Sequence, residues 1–373
     1  MLPQLKVLHT ADLHLDYLFE SFPPEKRTER RAELLTTFSQ IVDIALAEEV
    51  AAVFISGDLF HTETPSRETI AAVTADLARL AQKRINCLII PGNHDPLRPG
   101  SIYHWAAFPD NTYVFKSEEF EAYTQIADLV VYGLPFREED KGKRVLSNFK
   151  KNDSEGFHVA MVHGSFKGLP FGEENYCPIY PEDIRDSHLD YVALGHYHNQ
   201  KDCSEDIIKA AYPGTPDRLT FNELEQRSVQ LVTFGMRGTE RQSILLKTRP
   251  YKSISPSPAE LQGDLSKLTL AIKNLADSTL CLRVIIKGLV EAGSEINTRL
   301  LTDQMKDLFY YLQIDDKTES LITEDLKAER SIRGSFVRKM EGLIKNPTLP
   351  EEERRVAKEA LKLGLVALKS RRG

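Results

Sequence analysis

Five short clusters in this sequence are built from residue types that bind divalent metal ions. They are Asp12-Leu13-His14, Gly57-Asp58, Gly92-Asn93-His94-Asp95, His163-Gly164 and Gly195-His196-Tyr197-His198. The donors are imidazole nitrogen, carboxylate oxygen and amide oxygen, with no thiolate, a set that favours Mn, Fe or Zn over a soft-metal site. Asp12 and His14 are two residues apart, and so are His196 and His198. Residues i and i+2 of an extended chain point to the same side, so each pair is expected to face one metal cluster. Glycines 57, 92, 164 and 195 are expected to let the backbone turn sharply and approach closely. Taken singly, each cluster has an ordinary structural explanation: Gly-Asp after a strand is commonly a turn, and a His before Gly is commonly a satisfied loop histidine. Five in order, each at the end of an apolar run, are not explained that way.

The elements that must position them follow from the apolar pattern. Short β-like runs occupy 5–10, 51–56, 87–91, 129–135, 158–163 and 191–196. Amphipathic stretches lie between them, at 29–49 and 66–84; in the first, Leu34, Leu35, Phe38, Ile41, Val42 and Ala45 recur at helical spacing. Strands alternating with helices predict an α/β architecture with covered sheets, and in such sheets the functional crevice lies at the carboxyl ends of the strands. Further strands are expected over 229–251. The Ser/Pro-rich stretch 253–260 reads as a boundary, followed by a helix (264–276), a strand (279–288), a helix (295–308) and a strand (309–315). Two helices, 329–345 and 351–369, end the chain, separated by Pro347 and Pro350. The expected division is a core over 1–250, a small α/β cap over 251–325 and a helical tail over 326–373.

The 373 residues carry a formal net charge of −7, which argues against bulk electrostatic binding to nucleic acid. Residues 327–373 hold thirteen Lys or Arg against six Asp or Glu, so this tail is at +7 and the remainder at −14. A basic tail on an acidic body points either to a partner or to a solvated helix face. Cys87, Cys177, Cys203 and Cys281 form no CxxC pair; they read as reduced packing thiols, which implies a cytoplasmic location. No apolar run approaches the roughly 18–20 residues of a membrane span, no signal peptide is evident, and no P-loop motif is present. Of the histidines outside the clusters, His9 and His158 are expected to pack and His188 to lie at the surface, with His104 unassigned. Trp105 is expected to pack in the core rather than stack on a nucleobase.

The ordered series D-x-H, G-D, G-N-H-D, H-G and G-H-x-H is similar to the signature of the calcineurin-like metallophosphoesterase superfamily. Within it, the segments HTADLHLD, GDLFH, PGNHD, VHG, ALGHYH and YPGTPDRLTF resemble SbcD-type DNA-repair nucleases, nearest a YhaO-like branch. The resemblance is strong over about residues 1–235 and extends to the cap and tail only in layout and length. It implies a metallophosphoesterase β-sandwich flanked by helices, with a small α/β cap domain and a helical C-terminal tail. It implies two divalent ions, Mn²⁺ foremost with Fe²⁺, Zn²⁺ or Mg²⁺ as alternatives. Asp12, His14 and His198 would hold one ion and Asn93, His163 and His196 the other, with Asp58 bridging. His94 would be no ligand, but would contact the scissile phosphate and protonate the leaving oxygen or stabilise charge on it. His61, in GDLFH, would be a second phosphate-orienting group.

Three classes of function fit these residues: a DNA nuclease working with a coiled-coil ATPase, a stand-alone phosphoesterase on small-molecule or non-DNA substrates, and a scaffold that keeps the metals for stability. The resemblance favours the first. It implies docking of residues 326–373 onto an SbcC- or YhaN-like coiled-coil ATPase, and it admits a homodimer. The tail pattern suits this role. Ile332, Phe336, Met340, Leu343 and Ile344 form one apolar stripe, and Val356, Ala360, Leu361, Leu365 and Leu368 another. Glu351 to Glu353 open the second helix and Lys369, Arg371 and Arg372 close it, matching the helix dipole. Neither stripe can be buried wholly against the other, so the two are expected to pack on the catalytic body or on a partner.

Overall fold

The computed structural model describes residues 4–147, 149–167, 176–223, 226–257, 265–294 and 296–369. It divides into two units, Met1–Thr248 and Arg249–Gly373.

The first unit runs β1 (Leu5–Thr10), α1 (Pro24–Ala47), β2 (Ala52–Ser56), α2 (Arg67–Gln82), β3 (Asn86–Ile90), α3 (Ile102–Trp105) and β4 (Thr112–Val114). It continues through β5 (Glu121–Ile126), β6 (Leu129–Leu134), β7 (Phe157–His163), α4 (Pro181–Asp186), β8 (Tyr191–Gly195), β9 (Lys201–Asp202), β10 (Lys209–Tyr212), β11 (Ser228–Gly235) and β12 (Gly238–Leu245). These strands form two mixed six-stranded sheets, ordered β12-β11-β1-β2-β3-β4 and β5-β6-β7-β8-β10-β9. The central pairs β1–β2–β3 and β6–β7–β8 are parallel. Every residue of β2, β6 and β8 is buried, because strands covered on both faces must be apolar throughout.

Alternate residues serve different layers. Val7, Phe54, Leu88 and Ile90 of one sheet meet Val131, Val159, Met161 and Ala193 of the other in a shared core. On the outer face of the second sheet, Val130, Ala160, Val162, Val192 and Leu194 pack with Ile184 of α4. Helix α2 packs against β3 of the first sheet and against α1, and α1 buries Leu34, Phe38, Ile41, Val42 and Ala45 of the predicted stripe, with Leu35 half-buried. Ser66 caps α2 by accepting from Thr69 N–H. The fold is thus two mixed sheets packed face to face and flanked by helices, the layered α/β architecture that the apolar pattern predicts.

The second unit contains β13 (Tyr251–Ile254), α5 (Leu265–Lys273), β14 (Asp277–Glu291), α6 (Thr298–Met305), β15 (Phe309–Leu321), α7 (Glu324–Ala328), α8 (Ile332–Ile344) and α9 (Glu351–Lys369). Its strands make a parallel sheet in the order β13-β14-β15. The predicted order of helix, strand, helix and strand is present in α5, β14, α6 and β15, preceded by β13, whose last two residues overlap the stretch read as a boundary. Residues 258–260 of that stretch, residues 264 and 295 of the predicted cap helices, and the helix-closing Arg371 and Arg372 lie outside the described residues. Leu268 and Ile272 of α5 and Leu301 and Met305 of α6 cover Leu282, Val284, Leu312 and Ile314.

The tail helices pack on the cap. Val337 of α8 and Leu361 and Leu365 of α9 share a core with Ala292 and Leu326. Lys362 of α9 donates to Asp316 Oδ2 at 2.8 Å and to the Thr318 carbonyl at 3.0 Å. The reason is the length of β14 and β15, 15 and 13 residues, whose far ends offer a surface beyond α5 and α6. Part of the apolar pattern stays open: Ile332, Val356 and Leu363 are 80%, 58% and 68% exposed. Among the described residues no helix is long and apolar enough to cross a membrane.

Candidate metal centre

The candidate donors lie at or just beyond the C-terminal ends of β1, β2, β3, β7 and β8. Alternation in an extended chain is not what aligns them. Asp12 (φ 55°), His14 (φ 46°), Asp58 (φ 52°) and His196 (φ 112°) all have left-handed backbone, a conformation that costs about 1–3 kcal/mol per non-glycine residue and persists only where its surroundings enforce it. Here the N–H groups of Asp12 and His14 donate to the carbonyls of Gly57 and Asp58 at 3.1 and 3.0 Å, joining the loops after β1 and β2. Close approach accounts for all four of the glycines, since a Cβ on Gly92 would strike the Asp58 carboxylate and one on Gly164 the Cys177 carbonyl. A Cβ on Gly57 would strike the His163 imidazole, and one on Gly195 would strike the Ser56 carbonyl.

The donors form two adjoining groups. In one, His14 Nε2 faces His198 Nε2 at 3.1 Å, and donor atoms of Asp12, His14 and His198 lie within 4.8 Å of one another. In the other, Asn93 Oδ1 lies 2.8 Å from His163 Nε2 and 3.1 Å from His196 Nδ1. Asp58 stands between them. Its Oδ1 accepts His94 N–H at 2.9 Å, while Oδ2 lies 3.6 Å from His14 Nε2 and 3.5 Å from His163 Nε2. His163 Nδ1 donates to the Ser56 carbonyl at 2.9 Å, which leaves Nε2 as the inward donor. Asp12 accepts His196 N–H on both oxygens, at 3.0 and 3.1 Å.

Burial makes this an electrostatically demanding cluster. Burial pushes Asp58 up, but the His163 charge and its hydrogen bond outweigh it and hold Asp58 well below the carboxylate range. Burial lowers His163, and the Asp58 carboxylate more than reverses this, to about 9. Burial, then the charge of His163, lowers His196 to about 3. Burial also depresses His14 despite Asp58 and raises Asp12 to about 6 against the pull of His163. Buried and half-buried nitrogen and oxygen donors converging in two groups around one carboxylate fit a pair of divalent cations.

His94 and His61 lie beside the donors. The rings of His94 and His61 stack with centroids 4.9 Å apart, and His94 meets the edge of His14 at 4.7 Å. His94 is exposed. His61 Nδ1 lies 3.2 Å from His14 Nδ1, and burial, then the charge of His94, lowers His61 to about 4.

Asp95 departs from the cluster to which the sequence assigned it. It accepts Gly92 N–H at 2.7 Å, Phe60 N–H at 2.9 Å and the Tyr103 hydroxyl at 2.6 Å, so it clamps the loops after β2 and β3 to α3. Trp105 is 59% exposed rather than packed in the core. Its neighbour Tyr103 takes the buried position that α3 offers. His9 bonds Tyr191 and His158 bonds Tyr132, both buried, while His104 and His188 are exposed.

Two acidic residues were given no role by the sequence reading, Asp217 within the quoted segment YPGTPDRLTF and Glu223 just beyond it. Asp217 accepts from the buried Arg30 at 3.0 Å and from Thr37 at 2.9 Å, anchoring the loop after β10 to α1. Glu223 lies in the same loop, 3.3 Å from His198 Nδ1. The quoted segment YPGTPDRLTF ends two residues before Glu223. Only the position of a carboxylate soon after a motif could have drawn attention to it.

A family model described as calcineurin-like phosphoesterase matches residues 5–200. The uncharacterized metallophosphoesterase YhaO of Bacillus subtilis is 30% identical over 243 residues, covering 62% of this chain and 58% of that protein. The DNA double-strand break repair protein Mre11 of Haloferax volcanii is 27% identical over 259 residues, covering 69% of this chain and 55% of that one. Its counterpart in Saccharolobus solfataricus is 25% identical over 335 residues, covering 85% and 84%. The alignments to YhaO and the Haloferax Mre11 thus span less than two thirds of those proteins.

Proposed function

The chain belongs to the calcineurin-like phosphoesterase family, and from that premise we propose that it is a two-metal nuclease hydrolysing DNA phosphodiester bonds in repair or end processing. The observation that carries the reading is Asp58, whose Oδ2 lies 3.6 and 3.5 Å from nitrogens of both donor groups. Asp12, His14 and His198 would hold one cation, Asn93, His163 and His196 the other, and Asp58 both. Two such ions would supply an activated water and positive charge for the phosphate oxygens. The exposed His94 gives a proton to the leaving oxygen, and His61, stacked on it, helps orient the phosphate. DNA as substrate is supported by the Mre11 relatives, described as double-strand break repair proteins. Mn²⁺ as the working ion, a cytoplasmic location and a homodimer belong to the same reading. Residues 251–325 would position duplex DNA.

The test offers purified protein and Mn²⁺ a labelled DNA duplex, a chromogenic phosphodiester and a monoester. Metal-dependent cutting of DNA and of the diester is expected. Hydrolysis of small esters with DNA untouched would overturn the nuclease assignment in favour of a stand-alone phosphoesterase.

The tail is the proposed dock for an SbcC- or YhaN-like coiled-coil ATPase, by helix-in-groove packing. Because α8 and α9 share a core with the cap, truncation would disturb both, and point variants test the dock better. Val356 and Leu363 are seven residues apart on one helix face and exposed. Val356→Asp with Leu363→Asp is expected to abolish pull-down of the ATPase while diester hydrolysis stays at the parent rate. Undiminished pull-down would remove this face of α9 from the dock.

A further inference from the structure

Glu223 has no role in the donor set proposed above, yet its geometry bears directly on that set. Its side chain is 6% exposed, and Oε1 lies 3.3 Å from His198 Nδ1. The other oxygen, Oε2, accepts both the N–H and the hydroxyl of Thr220 at 2.8 Å. The carboxylate is therefore fixed by its own turn before it meets the imidazole. The loop is fixed in turn, since Arg218 Nε donates to the Glu223 carbonyl at 2.9 Å and Asp217 is held by the buried Arg30.

The consequence for His198 is one of orientation. A carboxylate at Nδ1 keeps the proton on that nitrogen, so Nε2 presents a lone pair. That nitrogen is the one facing His14 Nε2 at 3.1 Å. His198 needs such support more than the deeply buried donors do, because 35% of its side chain is exposed. His163 receives the equivalent support from the Ser56 carbonyl.

We infer that Glu223 is the positioning residue for His198, setting its tautomer and ring angle so that Nε2 serves the cation shared with Asp12 and His14. This rests on the ligand set of the proposed function. Loss of such a carboxylate commonly weakens metal affinity about 10–100-fold.

The test is calorimetric titration of the full chain with Mn²⁺, on the parent and on Glu223→Gln, His198→Ala, their double variant and Thr220→Val. Glu223→Gln is expected to weaken one of two Mn²⁺ sites about 10–100-fold and leave the other at parent affinity. It should add nothing further to His198→Ala. Thr220→Val, which removes one of the two Thr220 contacts to the carboxylate without touching His198, should weaken the site less than Glu223→Gln. Equal loss in Thr220→Val and Glu223→Gln would reduce Glu223 to a brace of its loop. If Glu223→Gln binds like the parent while His198→Ala does not, the positioning role is overturned and the ligand set stands. If His198→Ala also binds like the parent, the ligand set itself fails.

Discussion

Asp58→Asn is expected to reduce Mn²⁺-dependent hydrolysis to background. The substitution changes one heavy atom, yet it strikes two things at once. Oδ1 of Asp58 accepts the His94 N–H, so an amide keeps that bond only by placing its NH₂ where Oδ2 now stands. That would turn a hydrogen-bond donor toward His14 and His163, whose Nε2 atoms lie 3.6 and 3.5 Å from Oδ2. The negative charge that holds both donor groups together would be gone as well, and a buried site for two dications depends on it. The measurement is the initial rate on a chromogenic diester and on DNA, with bound metal counted and secondary structure checked. Parent-level turnover in Asp58→Asn would remove Asp58 from the bridging position.

His94→Gln is expected to lower the rate on DNA roughly 10²–10⁴-fold, the usual worth of a positioned general acid, with metal content unchanged. The proposed roles separate the two quantities. His94 reaches Asp58 through its backbone N–H, which the variant keeps, while its ring is exposed and packs only against His61 and His14 among the described ring contacts. The loss should also depend on the leaving group. A nitrophenolate departs without a proton far more readily than a sugar alkoxide, so a nitrophenyl diester should suffer less than DNA. A variant that loses both ions along with its activity would make His94 a ligand.

The parts of the fold legible in the sequence share one property. The central strands β2, β6 and β8 are buried on both faces and appear as unbroken apolar runs. β5 (Glu121–Ile126) is an edge strand with three of its six residues exposed, and β10 is a short KAAY segment; neither carries a signal above a loop. β13 lay hidden because Ser and Pro immediately follow it. The donor clusters were legible for a different reason: each combines ligand types with a nearby glycine in a few consecutive residues. Glu223 and Asp217 were not, because their meaning comes from partners 25 and 187 residues away in the chain. The spacing of Asp12 and His14 was noticed but explained wrongly, through alternation rather than left-handed turns. Trp105, expected in the core, is exposed because α3 has four residues and buries Ile102 and Tyr103 instead.

The left-handed backbone at Asp12, His14, Asp58 and His196 also limits how this protein can evolve. Asp, Asn and His are the non-glycine residues enriched several-fold in that conformation. At these four positions, the side chains suited to the ions are therefore also the ones suited to the backbone. A drift toward cysteine, which would open the site to softer ions, meets a conformational barrier before any question of metal chemistry arises. Glu in place of Asp meets the same barrier, besides the longer reach of its carboxylate. The main chain thus narrows the alphabet from which ligands can be drawn at these four positions.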